Sequence, residues 1–328
     1  MGVALALPAA AHEMSAHEMS AHETVAQETP ARSAVQETAP RKVAPQQVSR
    51  SAWFVQGETA LGSPANRNFI SNAGFVVTPA GVVVIDALGS PALARELQQE
   101  IARITPLPVT HVILTHYHAD HVYGLQEFHR RGARILAQRG ALEYLHSETA
   151  AARLAASRVD LAPWIDAQTQ LVTPDEWIDA ARELVVGGTR LLLQPVGPAH
   201  TPEDLVVVLP AERVLFAGDI VFRGRVPFVG QADSRHWIAS LDMLLRIDAD
   251  TVLPGHGPRS DSARADLQLT RDYLAYLRET MGAAARDMDP FDEAYARTDW
   301  SRFEHLPLFK AANRMNAYNT YLLMERQQ

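Results

Sequence analysis

The chain has 328 residues, 47% of them hydrophobic, with a net charge of -8 and no cysteine. There is apolar material for one large core or two small ones, and both a disulfide-stapled fold and any thiolate metal ligand are excluded. The negative balance, with no basic run longer than pairs such as Arg41-Lys42, leaves no footprint for a nucleic-acid backbone, and no stretch reaches the roughly eighteen apolar residues of a membrane-spanning helix.

Residues 1–50 read as a signal remnant and a disordered leader. Val3 to Ala11 resembles the end of a secretory apolar region with an Ala-x-Ala site at Ala9 to Ala11, which points to a periplasmic or secreted protein, with a cytoplasmic one as the alternative. Near-copies of Ala-His-Glu-Met-Ser follow, in a composition too polar to offset the entropy of ordering. Their His12, His17 and His22, beside Met14 and Met19, have a spacing that can chelate copper or nickel loosely, although short duplications in such leaders also arise without function.

From Trp53, the first aromatic residue, the pattern is that of an α/β protein, and residues 51–328 read as one domain ending in helices. Asn68 to Val77 and Gly81 to Ile85 predict a hairpin through Thr78-Pro79-Ala80-Gly81, and Pro91 to Ile104 an amphipathic helix. A strand at His111 to Leu114, a helix from Val122 to Arg131 and a strand at Arg134 to Ala137 come next. Residues 139–183 read as helices and connections with breaks near Pro163 and Pro174. Strands at Arg190 to Pro195, Leu205 to Leu209, Val214 to Phe216 and Thr251 to Leu253 flank a helix at Ser234 to Ile247, and helices are predicted at Ser262 to Met281 and Pro307 to Glu325.

The chemistry lies at strand ends. In Thr115 to His121, the potential ligands His116, His118, Asp120 and His121 follow directly after an apolar strand. His116 and His118, two apart, can point to one side, while Asp120 and His121 follow as the chain turns into a helix. His200, Asp219 and His256 each fall just beyond another predicted strand, next to Gly or Pro that lets the backbone turn. Separate segments thus converge on one sheet edge, where α/β proteins assemble their sites, and imidazole and carboxylate suit zinc or another first-row metal. His111, His129, His146 and His305 stand outside this pattern and read as hydrogen-bonded structural residues.

The segments HYHADH, GPAHTPEDLVV, AGDIV and PGHG, taken together over residues 53–260, resemble the metallo-β-lactamase superfamily. The resemblance implies a four-layer αββα sandwich holding two metal ions, zinc by preference with iron or manganese as substitutes. By motif, His116, His118 and His200 resemble the ligands of the first ion and Asp120, His121 and His256 those of the second. Asp219 resembles the bridge between them, and Asp86 the family's buried aspartate that orients ligands. The implied function is hydrolysis by a metal-bridging hydroxide, with Asp120 as the catalytic residue that orients the nucleophile and passes a proton to the leaving group.

Asp219 stands where the commonest zinc β-lactamases have a cysteine, whereas thioesterases resembling glyoxalase II and lactonases have aspartate. The layout, including Arg-Val-Pro-Phe-Val-Gly-Gln at 225–231 and Arg-Met-Asn-Ala-Tyr at 314–318, also resembles SoxH-like exported hydrolases. Arg223 and Arg225 can read an anionic group and Tyr117 can line the pocket, so the expected substrate is a small anionic thioester, ester or lactam, with β-lactamase activity as a side activity. Two other readings stay open: a mononuclear iron dioxygenase of the same fold acting on a persulfide, and a metal-binding protein without turnover.

Overall fold

The computed structural model describes residues 41–327, apart from 231 and 261. The signal-like segment and the Ala-His-Glu-Met-Ser copies lie outside the described residues. Of the expected leader only 41–50 are described; there Val43 is buried and Gln46–Gln47 form a short strand, β1.

The first sheet runs in sequence order from β1 through β2 (Ala52–Val55), β3 (Ala73–Thr78), β4 (Gly81–Ile85), β5 (Val109–Ile113) and β6 (Arg134–Gln138) to β7 (Glu176–Ile178). Pairing is antiparallel up to β4 and parallel beyond it. Between these strands lie α1 (Pro91–Ile104), α2 (Ala119–Val122), α3 (Leu125–His129), α4 (Ala141–Leu145) and α5 (Glu148–Asp160). The second sheet, in the order β12-β11-β10-β9-β8, uses β8 (Arg182–Val186), β9 (Thr189–Pro195), β10 (Leu205–Leu209), β11 (Val214–Phe222) and β12 (Thr251–His256). With it go α6 (Ser234–Leu244), α7 (Ala263–Arg286), α8 (Phe291–Arg297) and α9 (Phe309–Arg326). Among the described residues, no helix is long and apolar enough to cross a membrane.

Strand alternation builds the layers. Along β4, Val82 and Val84 join α1 residues Leu93, Leu97 and Ile101 in one apolar cluster, while Val83 and Ile85 face the other sheet and meet Leu191, Leu193 and Val207. Along β10 and β11, Val206, Val208, Leu215 and Ala217 turn outward onto Trp237 and Leu241 of α6 and Leu274 of α7. Strands buried on both faces read as continuous apolar runs, as VVVI and LVVVL do. The result is the αββα sandwich that the resemblance implies.

Several elements depart from the sequence expectation. The strand expected from Asn68 starts only at Ala73, because Arg67 and Asn68 take left-handed backbone and Asn68 Nδ2 donates to the Gly89 carbonyl at 3.0 Å. The helix expected from Val122 to Arg131 is broken into α2 and α3 at Gly124, whose Cα packs so tightly on the Ala87 carbonyl that a Cβ would lie 2.0 Å from it. The stretch read as helices and connections up to 183 also holds β7 and the start of β8, and β8 pairs with β9 through the turn Gly187-Gly188. Helix α8 was not expected, and β11 continues six residues past Phe216.

Candidate metal centre

Each ligand-bearing segment leaves a strand where the strand's pairing fixes it. His116 follows β5 and His200 follows β9, while Asp219 lies within β11 and His256 ends β12. Strands β11 and β12 are parallel neighbours whose register shifts around Gly218, a residue at φ 52° where a Cβ would meet the Thr115 side chain at 2.6 Å. That bulge aims Asp219 at the His116 segment of the other sheet.

The side chains meet in two groups: His116, His118, His200 and Asp219, and Asp120, His121 and His256, the donor atoms within each lying within 4.8 Å of one another. Asp219 joins them. Its Oδ2 is 3.8 Å from His116 Nε2, 3.3 Å from His200 Nε2 and 3.3 Å from His256 Nε2, and its Oδ1 is 3.2 Å from His121 Nε2. Asp120 Oδ2 lies 3.3 Å from His256 Nε2 and 3.6 Å from His121 Nε2. All of the sequence-predicted ligands are therefore brought together.

The donors are set up to receive cations. Buried His116 Nε2, His121 Nε2 and Asp219 Oδ1 have no hydrogen-bond partner among the described residues, a costly state unless an ion completes it. His118 Nδ1 and His200 Nε2 face each other at 3.0 Å, so the two nitrogens converge on a point that one proton or one cation can share. Burial and the neighbouring imidazoles push His116 well below its ordinary pKa, and burial and His200 bring His118 down to about 3, which keeps both neutral and ligating. His121 goes the other way: burial lowers it, but Asp219, Asp120 and Asp86 outweigh burial and raise it well above the usual range. Burial likewise pushes Asp120 and Asp219 up, yet the surrounding histidines hold both well below ordinary carboxylates, as ligands must be.

Asp86, at the end of β4 with φ 60°, accepts from Thr115 N and Thr115 Oγ1, both at 2.8 Å, and faces His121 Nδ1 at 2.9 Å. The contact fixes the proton on Nδ1 and leaves Nε2 for a metal. Thr115 Oγ1 lies 3.1 Å from His116 Nδ1 and orients that ring in the same way.

Of the proposed substrate contacts, Tyr117 and Arg223 are engaged away from the ligands, whereas Arg225 lies against His256. Tyr117 is 1% exposed, its ring 6.3 Å from that of Tyr144, and its hydroxyl donates to the Val172 carbonyl, because between two inward ligands its side chain points to the opposite side. Arg223 pairs with Asp266 at 2.9 Å. Arg225 is buried, with Nη1 3.4 Å from His256 Nδ1. Trp237 packs in the core 5.2 Å from the His200 ring, and His236 is exposed and paired with Asp233.

Sequence reasoning missed the segment that frames the second group. His256 Nδ1 faces the Ile70 carbonyl at 2.8 Å, Ser71 Oγ donates to the Asp120 carbonyl at 2.5 Å, and Asn72 Nδ2 donates to the carbonyls of Pro254 and Gly257 at 2.7 and 2.8 Å. It also missed Asp204, which accepts from Thr201 N and Oγ1 and closes the His200 loop. The signal was present as Asn in an apolar run and as Thr-x-x-Asp after His200.

Comparison with known proteins agrees with this geometry. The family described as the metallo-beta-lactamase superfamily matches residues 66–256. The chain is similar to the linear primary-alkylsulfatase of Pseudomonas sp. (strain ATCC 19151), at 24% identity over 239 residues, 62% of this chain and 45% of that protein, so it spans less than half the relative's length. It is 28% identical over 196 residues to the metallo-beta-lactamase type 2 of Bacillus sp. (strain 170), which is 58% of this chain and 68% of that one. In fold it is similar to the sec-alkylsulfatase Pisa1 from Pseudomonas sp., with a TM-score of 0.70 and 19% identity, over 86% of this chain and 50% of the other. With ligands from both sheets converging on Asp219 and the family matched over most of the described length, the chain belongs to the metallo-beta-lactamase superfamily.

Proposed function

We propose that the protein is a dinuclear zinc hydrolase of a small anionic thioester, ester or lactam, with lactamase turnover as a side activity. The observation that carries this reading is Asp219, which lies within 3.8 Å of histidine nitrogens from both ligand groups and can bridge two ions. Bound zinc supplies Lewis acidity, lowering the pKa of water and polarising the substrate oxygen. The protein's part is to hold neutral imidazoles and ionised carboxylates around that chemistry. Asp120 is the carboxylate with a side left open: its side chain is 16% exposed, against 4% for Asp219. It can hold a hydrogen bond from the attacking water and move its proton toward the leaving group.

Within the superfamily, aspartate at 219 supports a place among glyoxalase II-like hydrolases, the segments at 225–231 and 314–318 support a SoxH-like one, and the Val3 to Ala11 segment supports export to the periplasm. The alkylsulfatase relative adds a sulfate ester to the substrates worth testing.

The test is metal content per chain together with turnover of thioester, lactone, β-lactam and sulfate ester reporters. Two zinc ions, with at least about a thousandfold loss of kcat in Asp120→Ala, is the expected result. One iron with oxygen consumption would transfer the assignment to a dioxygenase, and two ions without turnover of any reporter would leave a metal-binding protein.

A further inference from the structure

Arg225 lies in the loop after β11, and its charge is carried into the interior at 1% exposure. The guanidinium sits over the rings of Phe222 and Phe228, at 5.6 and 5.2 Å, which solvate a cation only in part. Its hydrogen bonding is poor. Nε reaches the Val226 carbonyl at 3.5 Å, and Nη2 has no partner among the described residues. Nη1 is 3.4 Å from His256 Nδ1, but that nitrogen already faces the Ile70 carbonyl at 2.8 Å and must carry its proton there, so two donors confront each other. A buried guanidinium ordinarily pairs with a carboxylate, as Arg223 does with Asp266. The carboxylates that act on Arg225 are Asp219 and Asp120, and both are committed to the ligand groups.

We propose that Arg225 competes electrostatically with the second metal ion, so that Asp120, His121 and His256 hold their ion more weakly than His116, His118, His200 and Asp219 hold theirs. The proposal rests on the dinuclear reading above. A positive charge that touches a ligand ring and has no carboxylate of its own, in a medium that screens poorly, would oppose a divalent ion held by that ring. Among the described residues no guanidinium is in hydrogen-bond or stacking contact with a ring of the first group, on which Arg153 acts only electrostatically, through His118; those rings meet one another, His121, Phe222 and Trp237. Without the second ion, the guanidinium adds to the positive charge that the histidines present to Asp120 and Asp219.

The experiment titrates metal-free full-length protein with zinc against a chromophoric chelator, and in parallel with cobalt(II) followed by its absorption bands. In the wild type the second ion should bind at least about tenfold more weakly than the first. Arg225→Met should tighten the second ion about tenfold or more and leave the first unchanged, and Arg225→Gln serves as a neutral replacement should the methionine variant fail to fold. Arg225→Lys, which keeps the charge without the fork, should retain the weak second site. An unchanged second affinity in the neutral variants, or a lysine variant as tight as they are, would overturn the proposal. Two ions of equal affinity in the wild type would overturn it alone, whereas a single ion in every variant would bring down the dinuclear reading with it.

Discussion

Asp86 illustrates how much of the centre depends on groups that never touch a metal. It holds Thr115 by two hydrogen bonds and fixes the proton of His121 on Nδ1. In Asp86→Asn the amide nitrogen would face the Nδ1 proton, donor against donor, and the ring would lose its orientation. We expect zinc affinity at the second group to fall roughly 10- to 100-fold with the fold retained, as read by metal titration and circular dichroism. Asp204 offers a prediction in pH. Burial raises its pKa from 3.8 to about 7, so the folded protein holds the proton more tightly than the unfolded chain. Its contribution to stability is therefore complete below about pH 4, is lost as pH rises toward 7, and is level above that. Asp204→Asn, which can still accept from Thr201 N–H, should flatten this decline in urea unfolding curves taken across that window; an unchanged slope would remove Asp204 as the cause. The ligands themselves were legible from spacing, since their motifs are local. Asp204 and Asn72 were not, because what they bond to is set by loop geometry and, for Asn72, by residues far along the chain.

At the scale of elements, periodicity found the long amphipathic and apolar runs and failed where close packing or edge position took over. Helix α1 was legible to its ends because Ser90 caps Leu93 N and Pro91 opens the first turn. The break at Gly124 was not, since it follows from the nearness of the Ala87 carbonyl. Strands β7 and β8 escaped because they lie at sheet edges and β7 has only three residues, although Gly187-Gly188 was a hairpin signal. Two glycines separate the effects of strain and contact. Gly218, at φ 52°, has no room for a Cβ beside Thr115, whereas Gly132, at φ 84°, has nothing within 4 Å of that position. Gly132→Ala should cost about 1 kcal/mol of unfolding free energy, the backbone penalty alone. Gly218→Ala should cost at least about twice that and weaken metal binding, because Thr115 would be displaced from Asp86 and His116. Equal losses in the two variants would contradict the close contact.

For the whole molecule, the four layers were expected only through the resemblance, and the three apolar clusters bear them out. Alternation tells which residues of a strand share a face, but not which sheet lies opposite. The metal centre draws His116, His118, Asp120 and His121 from the first sheet's edge and His200, Asp219 and His256 from the second. Bound ions would thus cross-link the two halves of the sandwich. Stripping them with a chelator should lower the unfolding midpoint by roughly 5–15 °C in calorimetry, and zinc should restore it, by mass action on the folded state.

The tethering of the ligand segments has an evolutionary consequence. The Asp120 and His256 segments are tied to Ile70–Asn72 by backbone carbonyls and short polar side chains, and the His116 and His121 rings to Asp86 and Thr115. None of these ties uses the stretch from Gly224 to Gly230. Change there is nonetheless not free: Arg225, Val226 and Val229 are buried, Val226 N and Val229 N donate to the Pro307 carbonyl and Asn316 Oδ1, and Arg225 lies 3.4 Å from His256 Nδ1, so a new substrate preference acquired through this stretch would carry a change at the second ligand group with it.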